Sequence, residues 1–255
     1  MELMNFKYLI QTEDLTRTET TSQLREWFLK YPEFIDVLFE ATYFTGDVES
    51  PESLEGSFHG FAHHLLLRYP YTVRAAINLL ESGYYYEAIS LVRNMYEVLI
   101  QLRYFSNHKD KLNQHVLGRR IKFRVMFDEI APEFYEMIYG MQLSEFAHGG
   151  FSSLIFRANY SSPTKGIITM GCKYDATFFS YSFNQIFSAV SGIISFLPEF
   201  FPKFLSFAPS EVLHKRMQAL KWLSAAREAH MKVNPKSKEY YKIILPLIEP
   251  TKKDS

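Results

Sequence analysis

The chain has a single cysteine, Cys172, in 255 residues, so no internal disulfide can form and burial alone must hold the fold, as suits a reducing compartment. It has no excess of either charge: 28 basic side chains balance 28 acidic ones, which excludes a global field toward nucleic acid or an anionic membrane and leaves only local attraction. There is no Gly-rich phosphate loop, no nucleophile elbow, no cysteine-based zinc motif, no internal repeat and no low-complexity tract. Residues 1–20 lack a basic segment followed by an apolar run, so a secretory signal is not expected and a cytoplasmic location is.

Long uncharged runs are scarce too. The exception, Ala176 to Leu197, is close to the roughly 20 residues needed to cross a bilayer. It carries Asn184, Gln185 and five serines, which are costly in lipid, and its flanks offer no basic anchor. The run therefore reads as a central core helix, and a membrane is not an expected partner.

Apolar residues make up 47% of the chain, with 23 Phe and 17 Tyr, enough for a large aromatic core. Helical spacing dominates. Segment 22–44 reads as two short helices on either side of Pro32, and the acid-, Gly- and Pro-rich stretch Gly46 to Gly56 as a loop. Residues 57–82 are helical in pattern with a break or kink at Pro70, and Gly83 is a helix stop. Tyr84 to Phe105 then places Ala88, Leu91, Val92, Met95, Tyr96, Leu99 and Leu102 on one broad face, so the two helices form a long antiparallel hairpin. Further helices are expected over Lys111–Glu129, Glu133–Ala147, Glu211–Met231 and Ser237–Leu245, with a small hairpin allowed in 151–175 and an exit from the core helix at Pro198. The fold class is all-α: an irregular helical bundle with N-terminal helices and an acidic loop (1–56), a core bundle (57–200) and a C-terminal helical extension (201–255).

Five groups of residues can carry chemistry. Arg93 and Glu97 lie one helical turn apart among apolar neighbours, as a structural ion pair or as part of a site. His148 stands at a helix C-terminus, whose partial negative charge favours imidazolium, with Ser144 one turn earlier. His59 and His63, with Glu55 a turn before them, have metal-ligand spacing if the segment is helical throughout, which Gly56 and Gly60 disfavour. Arg119, Arg120, Lys122 and Arg124 interleave with Ile121, Phe123 and Val125, which on a helix would turn a cationic face outward for phosphates. Ser180, Asn184, Ser188 and Gly192 recur every four residues, a stripe of small side chains suited to close helix packing.

The hairpin Leu79-Leu80-Glu81-Ser82-Gly83-Tyr84-Tyr85-Tyr86-Glu87-Ala88, with Leu91-Val92-Arg93-x3-Glu97 and then Ser144-x3-His148-Gly149, resembles a poorly characterised group of bacterial helical proteins. That group is similar to the HEPN superfamily of helical bundles, whose members act in toxin–antitoxin, abortive-infection and other antiviral defence systems. The resemblance covers residues 57–200. It implies a metal-independent RNase built on an R-x4-6-H motif across a dimer, with the Arg stabilising the scissile phosphate and the His moving a proton. The chain departs from this pattern, since no Arg stands at that spacing before His148. The one formal match is Arg103-Tyr104-Phe105-Ser106-Asn107-His108.

Three functions follow as expectations. The first is a helical binding or regulatory module of a bacterial defence or toxin-type system, contacting a nucleotide, RNA or a partner protein. The second is a HEPN-like RNase using Arg103 with His108, or Arg93, Glu97 and His148. The third is a metal-binding helical protein using Glu55, His59 and His63. No cofactor is expected, and the aromatic surplus around Phe196 to Phe207 suggests a homodimer or larger oligomer.

Overall fold

Ser57 starts the first arm of the hairpin as an N-cap: its Oγ accepts the Gly60 N–H at 3.0 Å, satisfying one of the amides a helix start leaves free. The computed structural model describes residues 6–23, 33, 35–40, 57–136, 158–162, 165–168, 172–233 and 237–250. In chain order its helices are α1 (Phe6–Gln23), α2 (Phe58–Glu81), α3 (Tyr85–Asn107), α4 (Lys109–Val116), α5 (Phe123–Ile130), α6 (Pro132–Tyr135), α7 (Ala176–Phe200), α8 (Phe204–Phe207), α9 (Ser210–Val233) and α10 (Ser237–Ile248). Strands β1 (Ala158–Ser162) and β2 (Lys165–Ile168) pair antiparallel with a register shift between Tyr160 and Ser162. This is the small hairpin that the 151–175 segment allowed. The architecture is an all-α helical bundle, and among the described residues no helix is long and apolar enough to cross a membrane.

The hairpin stands as expected. Gly83 adopts φ +81°, and the bonds Tyr84 N–H to Leu79 O (2.8 Å) and Gly83 N–H to Leu80 O (3.2 Å) close α2 in a Schellman motif before α3 begins at Tyr85. α3 runs through the middle of the molecule. Ala88, Val92, Met95, Tyr96, Leu99 and Leu102 are all shut off from solvent, and the helix packs on α2 on one side and α7 on the other. α7 begins on the Asp175 cap, whose Oδ1 accepts from Thr177 N–H and Phe178 N–H, and buries most of its length. The expectation of a core helix for this uncharged run holds.

The small-residue stripe works by proximity at one position. A Cβ on Gly192 would stand 2.4 Å from Leu99 Cδ2 and 3.3 Å from Ile248 Cγ2, so the bare glycine is what lets α3 and α10 press against α7. α9 and α10 put Val212, Ala219, Leu223, Tyr241, Ile244 and Leu247 into the same apolar cluster as the hairpin.

Several expectations about helix ends are overturned. The break expected at Pro70, as the alternative to a kink, is absent: α2 is continuous across it and across Gly60, because Ser57 caps the helix and Leu66, Tyr69, Val73, Ala76 and Ile77 bury one face through the proline. α7 does not end at Pro198 but runs to Phe200, and α10 passes Pro246 to Ile248. The helix expected over Lys111–Glu129 is two helices parted by residues 117–122, with Gly118 at φ +97°. α1, which had no apolar pattern to announce it, is helical, with Thr16 and Thr20 buried and the Thr20 hydroxyl donating to Thr16 O at 2.7 Å. Of the segment 22–44, Ser22 and Gln23 end α1 and otherwise only Glu33 and 35–40 are described, and of Glu133–Ala147 only residues 133–136.

The aromatic surplus is largely internal. Within the stretch 196–207, Phe196, Phe200, Phe201 and Phe204 are each at most 3% exposed, while Leu205 is 50% exposed.

Gly83→Ala tests the hairpin turn. A Cβ there would meet Thr16 Cγ2 at 2.8 Å and the Lys173 backbone at 3.2 Å, at a φ that side chains disfavour. The variant is expected to lose about 1–3 kcal/mol in urea unfolding, as strain at such a position does.

Candidate functional site

Arg103 and His108, the formal R-x4-H pair, serve different elements. From α3, Arg103 Nη1 donates to Pro246 O (2.7 Å) and Leu247 O (3.0 Å), carbonyls in the last turn of α10, while its guanidinium lies 4.1 Å over the Phe196 ring. Burial pulls its pKa down to about 10, opposed by Glu199, so it stays charged at neutral pH. His108 closes α3, lies tilted against the Tyr104 ring at 4.6 Å and turns Nε2 to Glu129 Oε1 of α5. One residue secures a helix end and the other ties α3 to α5.

Arg93 and Glu97 form the expected pair on α3, Nε to Oε1 at 2.9 Å, with side chains 27% and 18% exposed. A helical pair so placed contributes about 0.2–0.5 kcal/mol. His148, the third member of that candidate site, and Ser144 lie outside the described residues, as does Glu55. His59 and His63 sit one turn apart on α2, with His59 edge-on to Phe201 at 5.2 Å, and His63 is pulled below the usual histidine range first by burial and then by His59 and His64. Among the described residues no three His, Cys, Asp or Glu side chains converge on a metal position.

The basic cluster is where the structure departs most usefully from expectation. Three of its four cations, Arg119, Arg120 and Lys122, do not lie on a helix face. α4 ends in a second Schellman motif, with Gly118 N–H to His115 O (3.3 Å) and Arg119 N–H to Gln114 O (3.0 Å), and an irregular loop leads to Lys122, which is extended at ψ 141° and caps the start of α5. In this loop Ile121 is half-buried and packed on the core while Arg120 and Lys122 on either side of it are exposed. The Ile121 N–H donates to His115 Nδ1 at 3.1 Å, tying the middle of the loop to α4. Arg119 is exposed as well, beside Leu117, which is 84% exposed.

Arg124 belongs to a different set. Its Nε bonds Asp128 at 2.8 Å, its Nη1 bonds Glu136, and its guanidinium lies 4.5 Å over Tyr135, so its charge is neutralised locally. Among the described residues Arg119, Arg120 and Lys122 have no carboxylate partner. The four-cation face of the sequence is therefore three solvent-facing cations on a shaped loop and one structural arginine.

Two clusters had no signal in the sequence. Arg216 of α9 donates Nε to Ile194 O (2.9 Å) and Nη2 to Ser195 O (3.0 Å) in α7. At the hairpin turn, the Tyr84 hydroxyl donates to Glu13 Oε1 beside Cys172, and Arg17 donates to Ser82 Oγ at 2.8 Å. Burial pushes the Cys172 thiol up, with Tyr84 pulling the other way and Glu13 and Glu87 adding to the rise, so it lacks the thiolate character a nucleophile needs. A cleft between α7, α9 and α10, lined by Asn184, Ser188, Arg227 and Tyr241, offers only about 20 Å³ to the centre of a water molecule, space for one or two waters and not for a metabolite.

Residues 59–125 match the model of a family described as "Family of unknown function (DUF5677)". The match takes in α2, α3, α4 and the basic loop, and stops just inside α5. No curated protein and no solved structure matches the chain.

Arg103→Met removes the fork while keeping most of the side-chain bulk. The expected result is a loss of about 1.5–3 kcal/mol in unfolding free energy, the scale of hydrogen bonds to a charged donor, with faster amide exchange in the last turn of α10. A catalytic role without a structural one predicts unchanged stability.

Proposed function

We propose that this chain is a helical binding module whose loop Arg119–Lys122 contacts the phosphate backbone of RNA. One observation carries the reading. Arg119, Arg120 and Lys122 are exposed, without a carboxylate partner among the described residues, on a loop whose shape is set by a Schellman motif, the burial of Ile121 and the His115 bond. The other candidate cations already have protein partners: Arg103 has carbonyls of α10, Arg93 has Glu97, and Arg124 has Asp128 and Glu136. With a net charge of zero, attraction to phosphate has to come from such a local set.

The resemblance to HEPN proteins supports a bacterial defence or toxin-type setting, in which a module of this kind brings RNA to a partner protein. A nuclease role through Arg103 would require it to leave Pro246 O and Leu247 O, at the cost of two charge-assisted hydrogen bonds. The binding reading needs no rearrangement.

The test is binding of a single-stranded oligoribonucleotide to the full chain, followed across a salt series. Neutralising three phosphate contacts in Arg119→Ala/Arg120→Ala/Lys122→Ala is expected to weaken binding and to flatten the slope of log K against log salt by about 2, at about 0.7 per lost contact. Equal affinity and slope in the triple variant would refute the loop as the contact surface. Metal-independent cleavage of RNA that disappears in His108→Ala would favour the nuclease instead.

A further inference from the structure

The loop that carries the three cations is held at its centre by a histidine that must be neutral to hold it. Ile121 N–H donates to His115 Nδ1 at 3.1 Å, and a ring nitrogen that accepts carries no proton, so His115 is the neutral Nε2–H tautomer here. On the α4 side, the motif at Gly118 secures the backbone as far as the Arg119 N–H, and on the α5 side the next tie is Val125 N–H to Lys122 O at 3.0 Å. Among the described residues, the His115 bond is the one that fixes the backbone between them.

We propose that His115 is a proton-operated clasp, keeping Arg119, Arg120 and Lys122 in a fixed array while its Nδ1 is free and releasing them when Nδ1 takes a proton. Protonation sets N–H against N–H, so the bond to Ile121 is lost, and it adds a positive charge beside Arg120. The surroundings favour the neutral form. α3 presents Phe105, whose ring lies 4.8 Å away, and among the described residues the charged group acting on the imidazole is Arg120 of the loop itself. Burial first, and Arg120 second, lower the His115 pKa from histidine's ordinary 6.5.

The sign follows from linkage. A histidine whose pKa is depressed by ordered structure stabilises that structure fully above 6.5 and progressively less as pH falls through 6.5 toward its folded value, because the released state binds the proton more tightly. Loop order is therefore greatest at neutral and alkaline pH and declines on acidification. The clasp rests on the geometry of α4 and the loop, and its use in regulating RNA contact rests on the function proposed above.

The experiment is amide hydrogen exchange at Ile121 in the full chain at about pH 8 and about pH 5, corrected for intrinsic exchange, with His115→Asn and His115→Ala beside the wild type. Asn places an acceptor oxygen near the position of Nδ1 but does not titrate. Wild type is expected to lose protection by about tenfold on acidification, the equivalent of one bond of roughly 1.4 kcal/mol, while His115→Asn keeps it at both values and His115→Ala lacks it at both. Protection in the wild type that is the same at both pH values, or an equal loss in His115→Asn, overturns the clasp. RNA binding by the same wild-type sample at about pH 8 reports on the other reading: no binding together with a pH-dependent Ile121 amide refutes the RNA contact and leaves the clasp standing.

Discussion

Two arginine forks hold together what prolines and helix ends would otherwise leave open. A proline in a helix has no N–H, so Pro198 frees the carbonyl of Ile194, four residues back, inside the most buried helix of the molecule. Arg216 reaches across from α9 and places its Nε on that oxygen. The last carbonyls of α10 have no amides of their own helix to accept from, and Arg103 reaches from α3 to two of them. In each case burial lowers the guanidinium pKa and the group stays charged, because an arginine starts so far above neutrality. The C-terminal helices join the core through these two donors as well as through their apolar faces.

This use of charge explains which parts of the fold could be read in advance. The hairpin of α2 and α3 is local information: periodic apolar residues on both arms, Gly83 between them and a turn that needs a positive φ. The proline rule misled at Pro70, Pro198 and Pro246, since it counts the bond a proline removes and does not see the tertiary packing or the distant donor that compensates. Gly118 was the opposite failure. It is a stop signal of the same kind as Gly83, but it lies between two amphipathic stretches whose spacing joins them into one apparent helix. α1 gave no apolar stripe because its inward residues include Thr16 and Thr20, with the Thr20 hydroxyl answered by its own helix.

The candidate site was legible as a list of residues and not as an arrangement. Arg119, Arg120, Lys122 and Arg124 are adjacent in sequence, and nothing in their identities separates the three that face solvent from the one held by Asp128 and Glu136. The separation arises at the change from loop to helix at Lys122: before it the three cations face solvent from irregular backbone, and after it the helical spacing brings Arg124 alongside Asp128 one turn later. Arg103 and His108 show the same limit from the other side. Their spacing satisfies a motif, yet what each does is decided by α10 and α5, elements that a linear pattern cannot place.

A polyanion pays little attention to side-chain identity, so what distinguishes a binding loop from any exposed lysines and arginines is how much order the ligand must impose. Long cationic side chains lose rotamer freedom on contact in any case. A backbone already shaped by a helix cap, a half-buried isoleucine and a histidine acceptor would remove the backbone share of the ordering cost from the proposed RNA contact. The exposed Leu117 next to Arg119 fits the same argument, since an apolar group at the rim of a charged loop has something to gain from the face of a base and nothing to gain from a bare phosphate.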